Sequence, residues 1–369
     1  MVTILIAGGG TGGHVFPMVA VGDAIRRLDA EARVVYVGTA RGLEARVIPE
    51  RGDPLELLNI LPLRGDGARG FARGALRAAA SLPEARALVR HIAPAVVLSV
   101  GGYAAGPVSL AARSLGVPVA ILEPNSALGL ANRLLAPLAR RAYTAFPEVE
   151  RHLRPSIVLR AGVPLRKDFA PMPYERRGEC EPMRVLVLGG SQGASALNET
   201  VPRAIAKVTA CAVVHQTGPG RDEAVRALYA SLGVEDRARV VPFIEDMHAS
   251  LTHADLVVGR AGASSLAELT AIGRPALLIP YPFAADDHQL KNAQSLERAG
   301  AAVAIAQSEA TEERLARELA ALARDGGRRA QMAEASSALG HPGAATEVAK
   351  DLLTIARFSR DAKKRKRSA

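Results

Sequence analysis

Twice in this chain an apolar stretch of strand length runs into a cluster of glycines and then into a helical pattern. Residues 2–7 lead into GGGTGGH at 8–14, after which Met18, Val21, Ile25 and Leu28 recur at helical spacing. Residues 184–188 lead into GGSQG at 189–193 and a helical stretch at 194–207. Strand, glycine turn and helix in that order open a Rossmann-like unit. Tight backbone packing explains one such loop by itself, but the restart predicts two related α/β halves in tandem. Further strands are expected at 33–38, 55–60, 95–100, 117–122 and 157–160, then at 212–216, 239–243, 255–258, 276–279 and 302–306, with helical patterns between them. That alternation argues for parallel sheets with helices on both faces.

A length of 369 residues suffices for two domains, each with its own core. Residues 162–182, with Pro164, Pro171, Pro173, Pro182 and a charged cluster at 175–181, have the composition of a linker. The expected division is a first half at 1–163, a second at 164–343 and, after the Gly340-His341-Pro342-Gly343 break, a final helix and basic tail at 344–369. The helix is expected near 344–358 and the tail, with Lys363 to Arg367 all basic, as disordered. Hydrophobic residues make up 49% and Trp is missing, as in soluble α/β proteins, and the longest apolar runs fall far short of a membrane span. No basic segment followed by an apolar core opens the chain, so no signal peptide is expected. Cys180 and Cys211 lack metal-ligand spacing and are expected as reduced thiols.

The net charge of +10 is unevenly placed. Residues 1–168 carry 21 basic and 13 acidic side chains, residues 169–356 carry 19 and 23, and residues 357–369 carry 7 and 1. A basic first half beside an acidic second half calls for an anionic partner on one part only. Charge alone fits nucleic acid and an acidic membrane surface equally. With only 4% aromatic residues and no RNP-type aromatic motif, a nucleic-acid-binding protein is the weaker reading. Residues 61–90 mix arginines with Phe71, Leu76, Leu82 and Leu88; such a stretch is ordinarily a packed surface helix, and its basic bias also suits an interfacial one.

The chemistry concentrates where strands end. In residues 254–293 a strand, a glycine turn at 259–262, a helix at 265–272, another strand and the polar run Asp286-Asp287-His288-Gln289 converge on one sheet edge. Ser265 stands three residues before Glu268, the capping-box spacing. The backbone N–H groups of Ala263 and Ser264 fall where a helix start attracts phosphate, and Glu268 can accept from a pair of ribose hydroxyls. An isolated cap does not explain that convergence, which predicts a nucleotide-sugar site. A dinucleotide-binding dehydrogenase is the obvious rival. Its fingerprint needs an acidic residue at the end of the second strand, and residues 34–39 (VVYVGT) have none. Two further loops, GGYAAGP at 101–107 and EPN at 123–125, leave strands on the edge where ligands bind in open α/β sheets.

With these loops in place the chain closely resembles one bacterial family over nearly its whole length. This is glycosyltransferase family 28, the membrane-associated N-acetylglucosaminyltransferases of peptidoglycan synthesis, which make lipid II from lipid I. The matching stretches are GGGTGGHVFP at 8–17, GGYAAGP at 101–107, EPNS at 123–126, GGSQGASALN at 189–198, RAGASSLAEL at 260–269 and DDHQLKNA at 286–293. Val163 departs from the family, which commonly has Asn there, and Pro124 stands where many members have Gln.

The resemblance implies an α/β protein of two tandem Rossmann-like domains, the GT-B fold, with the active site in the cleft between them. It implies an inverting enzyme that moves N-acetylglucosamine from UDP-GlcNAc to the C4 hydroxyl of the muramoyl sugar of lipid I, peripheral on the cytoplasmic face of the inner membrane. Donor would bind the second half and acceptor the first, with an anionic membrane surface as partner, no nucleic acid, no cofactor and no bound metal. Inversion needs a base near the attacking hydroxyl and charge stabilisation near the leaving diphosphate. His14 fits the base, since imidazole titrates near neutrality; taken alone it reads equally as a packing residue. Carried over residue by residue, the donor contacts would be Thr11, Gly12, Gly13, Asn125, Arg166, Ser191, Ile244, Ala263, Ser264, Ser265, Leu266, Ala267, Glu268 and Gln289. Ile244 would meet the uracil by its backbone, and Gln289 would read sugar hydroxyls through both faces of its amide. A GT-B glycosyltransferase of small natural products is the alternative; it shares fold and donor but has no need of the basic 61–90 stretch.

Overall fold

The computed structural model describes residues 1–59, 80–166, 169–175, 178, 181–190 and 192–368, with side chains described through residue 362. It divides into two compact units, Met1–Lys167 with Gly343–Ala369, and Asp168–Pro342.

In the first unit seven parallel strands lie in the order β3-β2-β1-β4-β5-β6-β7. They are β1 (Thr3–Gly8), β2 (Arg33–Thr39), β3 (Leu55–Leu58), β4 (Val96–Gly101), β5 (Val119–Glu123), β6 (Arg141–Thr144) and β7 (Val158–Arg160). Each of the central strands is apolar at nearly every position because both faces are covered. Ile4 pairs with Val34 on one side and Val96 on the other, and all three are buried. Helices α1 (Gly12–Leu28), α2 (Glu44–Glu50), α3 (Leu82–Ile92), α4 (Ala105–Ser114) and α5 (Leu130–Leu135) follow strands in the expected alternation. β6 was not foreseen: four residues, RAYT, are too short to show a period, and only burial of Ala142 and Tyr143 reveals the strand. Of the 61–90 stretch, residues 61–79 lie outside the described residues. Its end is an ordinary packed helix, α3, with Ala85, Val89 and Ile92 in the core.

The second unit repeats the plan with six parallel strands in the order β10-β9-β8-β11-β12-β13. These are β8 (Met183–Leu188), β9 (Cys211–Gln216), β10 (Ala238–Val241), β11 (Leu256–Gly259), β12 (Ala276–Leu278) and β13 (Ala302–Ala304). Its helices are α6 (Ser195–Ala206), α7 (Asp222–Ser231), α8 (Met247–His253), α9 (Ala263–Ile272), α10 (His288–Arg298), α11 (Glu312–Arg324) and α12 (Gly326–Ala338). In each sheet the strand order reverses beside the first strand, so each has a crevice where two successive loops part.

The last helix, α13 (Ala344–Ser368), returns to the first unit. Val348, Ala349, Leu352, Leu353 and Ala356 enter the core formed by Ile4, Ile6, Met18, Val21 and Ile25. Asp351 fixes it to the sheet: it accepts from Arg141 Nε and Nη2 at 2.8 and 2.9 Å and from Tyr143 Oη at 2.8 Å. The tail expected to be disordered instead continues this helix to Ser368. Lysine and arginine are good helix formers, no Gly or Pro intervenes, and cations suit the negative end of a helix.

Candidate functional site

In the first unit the crevice lies between the loops that follow β1 and β4. Gly9 and Gly10 take φ of +137° and +97°, and the Gly9 carbonyl lies 2.5 Å from where a Cβ on Gly102 would stand, so the two loops touch backbone to backbone. His14 sits in the first turn of α1, its N–H donating to the Thr11 carbonyl at 3.0 Å. Its Nε2 lies 3.1 Å from the position of a Cβ on Gly101, so the imidazole rests on the second loop. Thr11 is exposed and caps α1 by position without a side-chain bond, and Gly12 and Gly13 present the first helical N–H groups.

Beneath this loop is a residue the sequence reading missed. Glu44 is fully buried, and its carboxylate accepts from Gly10 N at 2.7 Å, Thr39 N at 2.9 Å and Thr39 Oγ1 at 3.1 Å. A Cβ on Gly9, Gly38 or Gly42 would lie within 2.2, 2.3 or 2.0 Å of it, so three glycines make its room. The acidic group absent from the end of β2 thus comes from the start of α2 and holds protein N–H groups.

Asn125 follows β5, and its backbone N–H and side-chain amide donate to Glu123 Oε1 at 3.1 and 3.2 Å. Glu123 Oε2 accepts from Gly129 N at 2.9 Å and Asn132 Nδ2 at 3.1 Å. Burial pushes the Glu123 carboxyl above the usual range, and these four donors oppose that. Arg166, which the sequence reading placed in the second half, belongs to the first unit, its guanidinium 5.9 Å from the centre of the Phe16 ring.

In the second unit Gly190 and Gly193 take φ of +84° and +70° in the loop after β8. Ser191 lies outside the described residues. A Cβ on Gly193 would be 1.9 Å from the Thr217 carbonyl, so this loop rests on the end of β9. Two neighbours on β9 brace it. His215, fully buried, has Nδ1 3.1 Å from Tyr229 Oη and Nε2 3.1 Å from Asn198 Oδ1, and Asn198 Nδ2 donates to the Thr217 carbonyl at 3.0 Å. Since the Asn198 oxygen can only accept, Nε2 carries the proton and Nδ1 accepts from the tyrosine. Burial lowers the His215 pKa to about 4, so the ring is neutral. Gln216 donates from Nε2 to the Gly190 carbonyl at 3.2 Å and accepts the Ile244 N–H at 3.0 Å. The Ile244 N–H is therefore engaged by protein.

Helix α9 starts earlier than the S-x-x-E spacing implied. Its N-cap is Gly262, so Ser265 is inside the first turn and the capping box does not form. The N–H groups of Ala263, Ser264 and Ser265 are consequently first-turn donors with no carbonyl four residues back in the helix. Leu266, Ala267 and Glu268 follow on the next turn. Leu266 is buried; Ala267 and Glu268 are half-buried. The turn before α9 is tied to the loop after β12. Arg260 donates to the carbonyls of Ile279 and Pro280 at 2.9 and 3.1 Å and to Gln307 Oε1 at 2.6 Å, and Asn292 Nδ2 donates to Ala261 O at 3.1 Å. Gln289 Oε1 accepts from Ala261 N at 3.2 Å and Tyr281 N at 3.0 Å. Its oxygen thus holds the turn before α9 and the segment after β12 together. Asp286 and Asp287 both have φ of +53° and turn the chain into α10. No group of three His, Cys, Asp or Glu that could hold a metal occurs among the described residues.

Thr11, Gly12, Gly13, His14, Asn125 and Arg166 thus lie on the first unit, and Ile244, residues 263–268 and Gln289 on the second. In each the residues stand at the carboxyl ends of strands.

Two family models match the chain: the glycosyltransferase family 28 N-terminal domain over residues 4–144 and the family 28 C-terminal domain over residues 184–348. A UDP-N-acetylglucosamine–N-acetylmuramyl-(pentapeptide) pyrophosphoryl-undecaprenol N-acetylglucosamine transferase of Sorangium cellulosum is 66% identical over 366 residues, covering 98% of this chain and 90% of the relative. A transferase described in the same words from Anaeromyxobacter dehalogenans is 42% identical, covering 96% and 93%. Among solved structures, MurG of Acinetobacter baumannii superposes with a TM-score of 0.81 at 31% identity, covering 96% of this chain and all of that one. A kitacinnamycin glycosyltransferase reaches a TM-score of 0.70 at 20% identity, a likeness of fold alone.

Proposed function

The chain belongs to glycosyltransferase family 28, and from that membership we propose that it transfers N-acetylglucosamine from UDP-GlcNAc to the C4 hydroxyl of N-acetylmuramoyl-(pentapeptide)-diphosphoundecaprenol, giving lipid II with inversion at the anomeric carbon. The observation that carries this reading is the 66% identity over 98% of the chain to a transferase of that description. The fold is GT-B, two Rossmann-like units of parallel sheet. A small natural product as acceptor is not favoured, since the likeness to such an enzyme extends to fold only.

On this reading the second unit holds the donor. Glu268 accepts the ribose hydroxyls, the first-turn N–H groups of α9 and the loop at 189–193 neutralise the diphosphate, and the Ile244 carbonyl meets the uracil. Gln289 offers its NH2 to the sugar. His14 takes the proton of the attacking hydroxyl as the new bond forms, and the diphosphate leaves from the opposite side. Thr11, Gly12, Gly13, Asn125 and Arg166 orient the reacting groups from the first unit. No helix among the described residues is long and apolar enough to cross a membrane. The proposed acceptor carries an undecaprenyl chain, and we place the enzyme peripherally on the cytoplasmic face of the membrane that holds it, drawn by the basic first unit to anionic lipid. Incubation with radiolabelled UDP-GlcNAc and a lipid I analogue tests the activity. Labelled disaccharide lipid is expected, and label passing only to water or to a soluble aglycone would overturn the reading.

A further inference from the structure

Gln216 is 3% exposed, closes β9, and belongs to no group of residues expected to touch substrate. Both ends of its amide point at backbone. Nε2 donates to the carbonyl of Gly190, in the glycine loop after β8, and Oε1 accepts the N–H of Ile244, in the segment after β10. The orientation is locked, because a flipped amide would set oxygen against the Gly190 carbonyl and NH2 against the Ile244 N–H. The main chain beside it reinforces the same geometry. Thr217 N donates to Val241 O at 3.0 Å and Gly218 N to Pro242 O at 3.1 Å, drawing the 241–244 segment onto the end of β9. On the other side a Cβ on Gly218 would lie 2.7 Å from the Gln192 carbonyl, so the glycine loop leans on the same strand end.

We propose that Gln216 is a positioning residue for the donor, whose amide fixes the separation between the diphosphate-binding glycine loop and the segment that meets the base. This rests on the donor reading of the second unit given above. A nucleoside diphosphate has a covalently set distance between base and phosphates. A site that holds both ends gains from spanning them only while its two halves keep the matching spacing. Loosening the bridge therefore weakens UDP as a whole and leaves each half able to hold its own fragment. His215, on the opposite face of β9, acts on the strand end through Asn198 and Thr217 and makes no bond to Ile244 among the described contacts, so of these two side chains Gln216 is the one that joins Gly190 to Ile244.

The test compares Gln216→Leu and Gln216→Glu with the natural protein, using UDP and uridine as inhibitors of transfer from UDP-GlcNAc. Glutamate keeps an acceptor for Ile244 N–H and opposes the Gly190 carbonyl, so it breaks the bridge without removing its bulk. For both variants the inhibition constant of UDP and the KM for UDP-GlcNAc should rise about tenfold, equivalent to about 1.4 kcal/mol. The inhibition constant of uridine and kcat should each stay within about threefold. Equal weakening of UDP and uridine, or a lowered melting temperature with unchanged UDP affinity, would overturn the proposal. Should neither variant fold, exchange of the Ile244 amide in the natural protein decides. Slow exchange without ligand supports the bridge, and exchange at the rate of an open loop refutes it. A natural protein that neither binds UDP nor uses UDP-GlcNAc, with Ile244 still protected, would sink the donor reading and not the bridge.

Discussion

Gln289 Oε1 holds the backbone N–H of Ala261 at 3.2 Å, joining α10 to the turn that opens α9, and accepts Tyr281 N at 3.0 Å from the same atom. On the proposed donor reading the NH2 of the same amide meets the sugar, so substitutions separate the structural oxygen from that contact. Gln289→Glu keeps an accepting oxygen and loses the NH2. It should fold with a melting temperature within about 2 °C of the natural protein while the KM for UDP-GlcNAc rises about tenfold. Gln289→Ala removes both, leaves two N–H groups without acceptor, and should lose about 1–3 kcal/mol of stability as well. A Gln289→Glu protein with natural KM would take the sugar contact away from this residue.

Glu268 was legible as a candidate, but its competing explanation was not excluded until the helix start was seen. With Gly262 as N-cap, Glu268 lies in the second turn and contributes no capping-box bond. Glu268→Ala should thus weaken UDP by about 10- to 100-fold, in line with about 1.5–3 kcal/mol for a charge-assisted pair of hydrogen bonds. Thermal stability should scarcely change. Calorimetry that finds natural UDP affinity with a lowered melting temperature would return it to a structural role.

His14→Ala should lower kcat by about 10²–10⁴ with donor affinity little altered, as expected for a general base. Its placement over Gly101 supplies a second handle. A Cβ added there would meet Nε2 at 3.1 Å on a backbone already at φ +91°, so Gly101→Ala should shift the ring and reduce kcat while His14 remains present. Equal losses in donor affinity and kcat for His14→Ala would make it a binding residue instead.

Much of this site was readable because glycine and helix-start patterns are local. The alternation of strands and helices placed both loops, and six motifs fixed the register of the rest. Side chains that work from beneath left no local mark. Glu44 lies in an unremarkable helix start, and its role appears only because Gly9, Gly38 and Gly42 are folded around its carboxylate. Gln216 and His215 read as the polar end of an apolar strand; what they brace is distant in sequence, at Gly190, Asn198, Tyr229 and Ile244. The start of α9 was displaced because the Ser265–Glu268 spacing imitates a cap, whereas Gly262, extended at φ −69° and ψ 138°, already supplies the turn into the helix.

His215 gives the fold a pH dependence of its own. Its folded pKa is lowered to about 4, below the ordinary histidine value near 6.5, so between these the unfolded chain binds more protons. Stability is then fully present above about pH 6.5 and falls as pH drops toward 4, by about 3 kcal/mol at most from this group. In His215→Gln the side-chain NH2 still donates to Asn198 and nothing titrates. Urea midpoints measured from pH 7 to 4.5 should fall less steeply for this variant than for the natural protein. Parallel slopes would mean that other groups govern the acid limb.

The proposed attraction to anionic lipid would come from basic residues on the surface. Helix α3 turns Ala85, Val89 and Ile92 inward, so the basic residues sought for a membrane patch are those upstream, Arg69, Arg73 and Arg77, which lie outside the described residues. Each basic residue near an anionic surface contributes roughly 1 kcal/mol, fading within a Debye length of about 8 Å at physiological salt. Co-sedimentation with vesicles rich in anionic lipid should therefore fall as salt is raised, and fall further when the three arginines are changed together to Ser. The basic end of α13 is a competing source of the same attraction, and deleting residues 360–369 is a clean control. The deletion spares Leu352, Leu353 and Ala356 in the core and the Arg357–Asp29 pair at 2.9 Å, so the helix stays anchored. Were the triple change silent while the deletion abolished sedimentation, the anchor would be the end of α13 and the arginine stretch an ordinary surface.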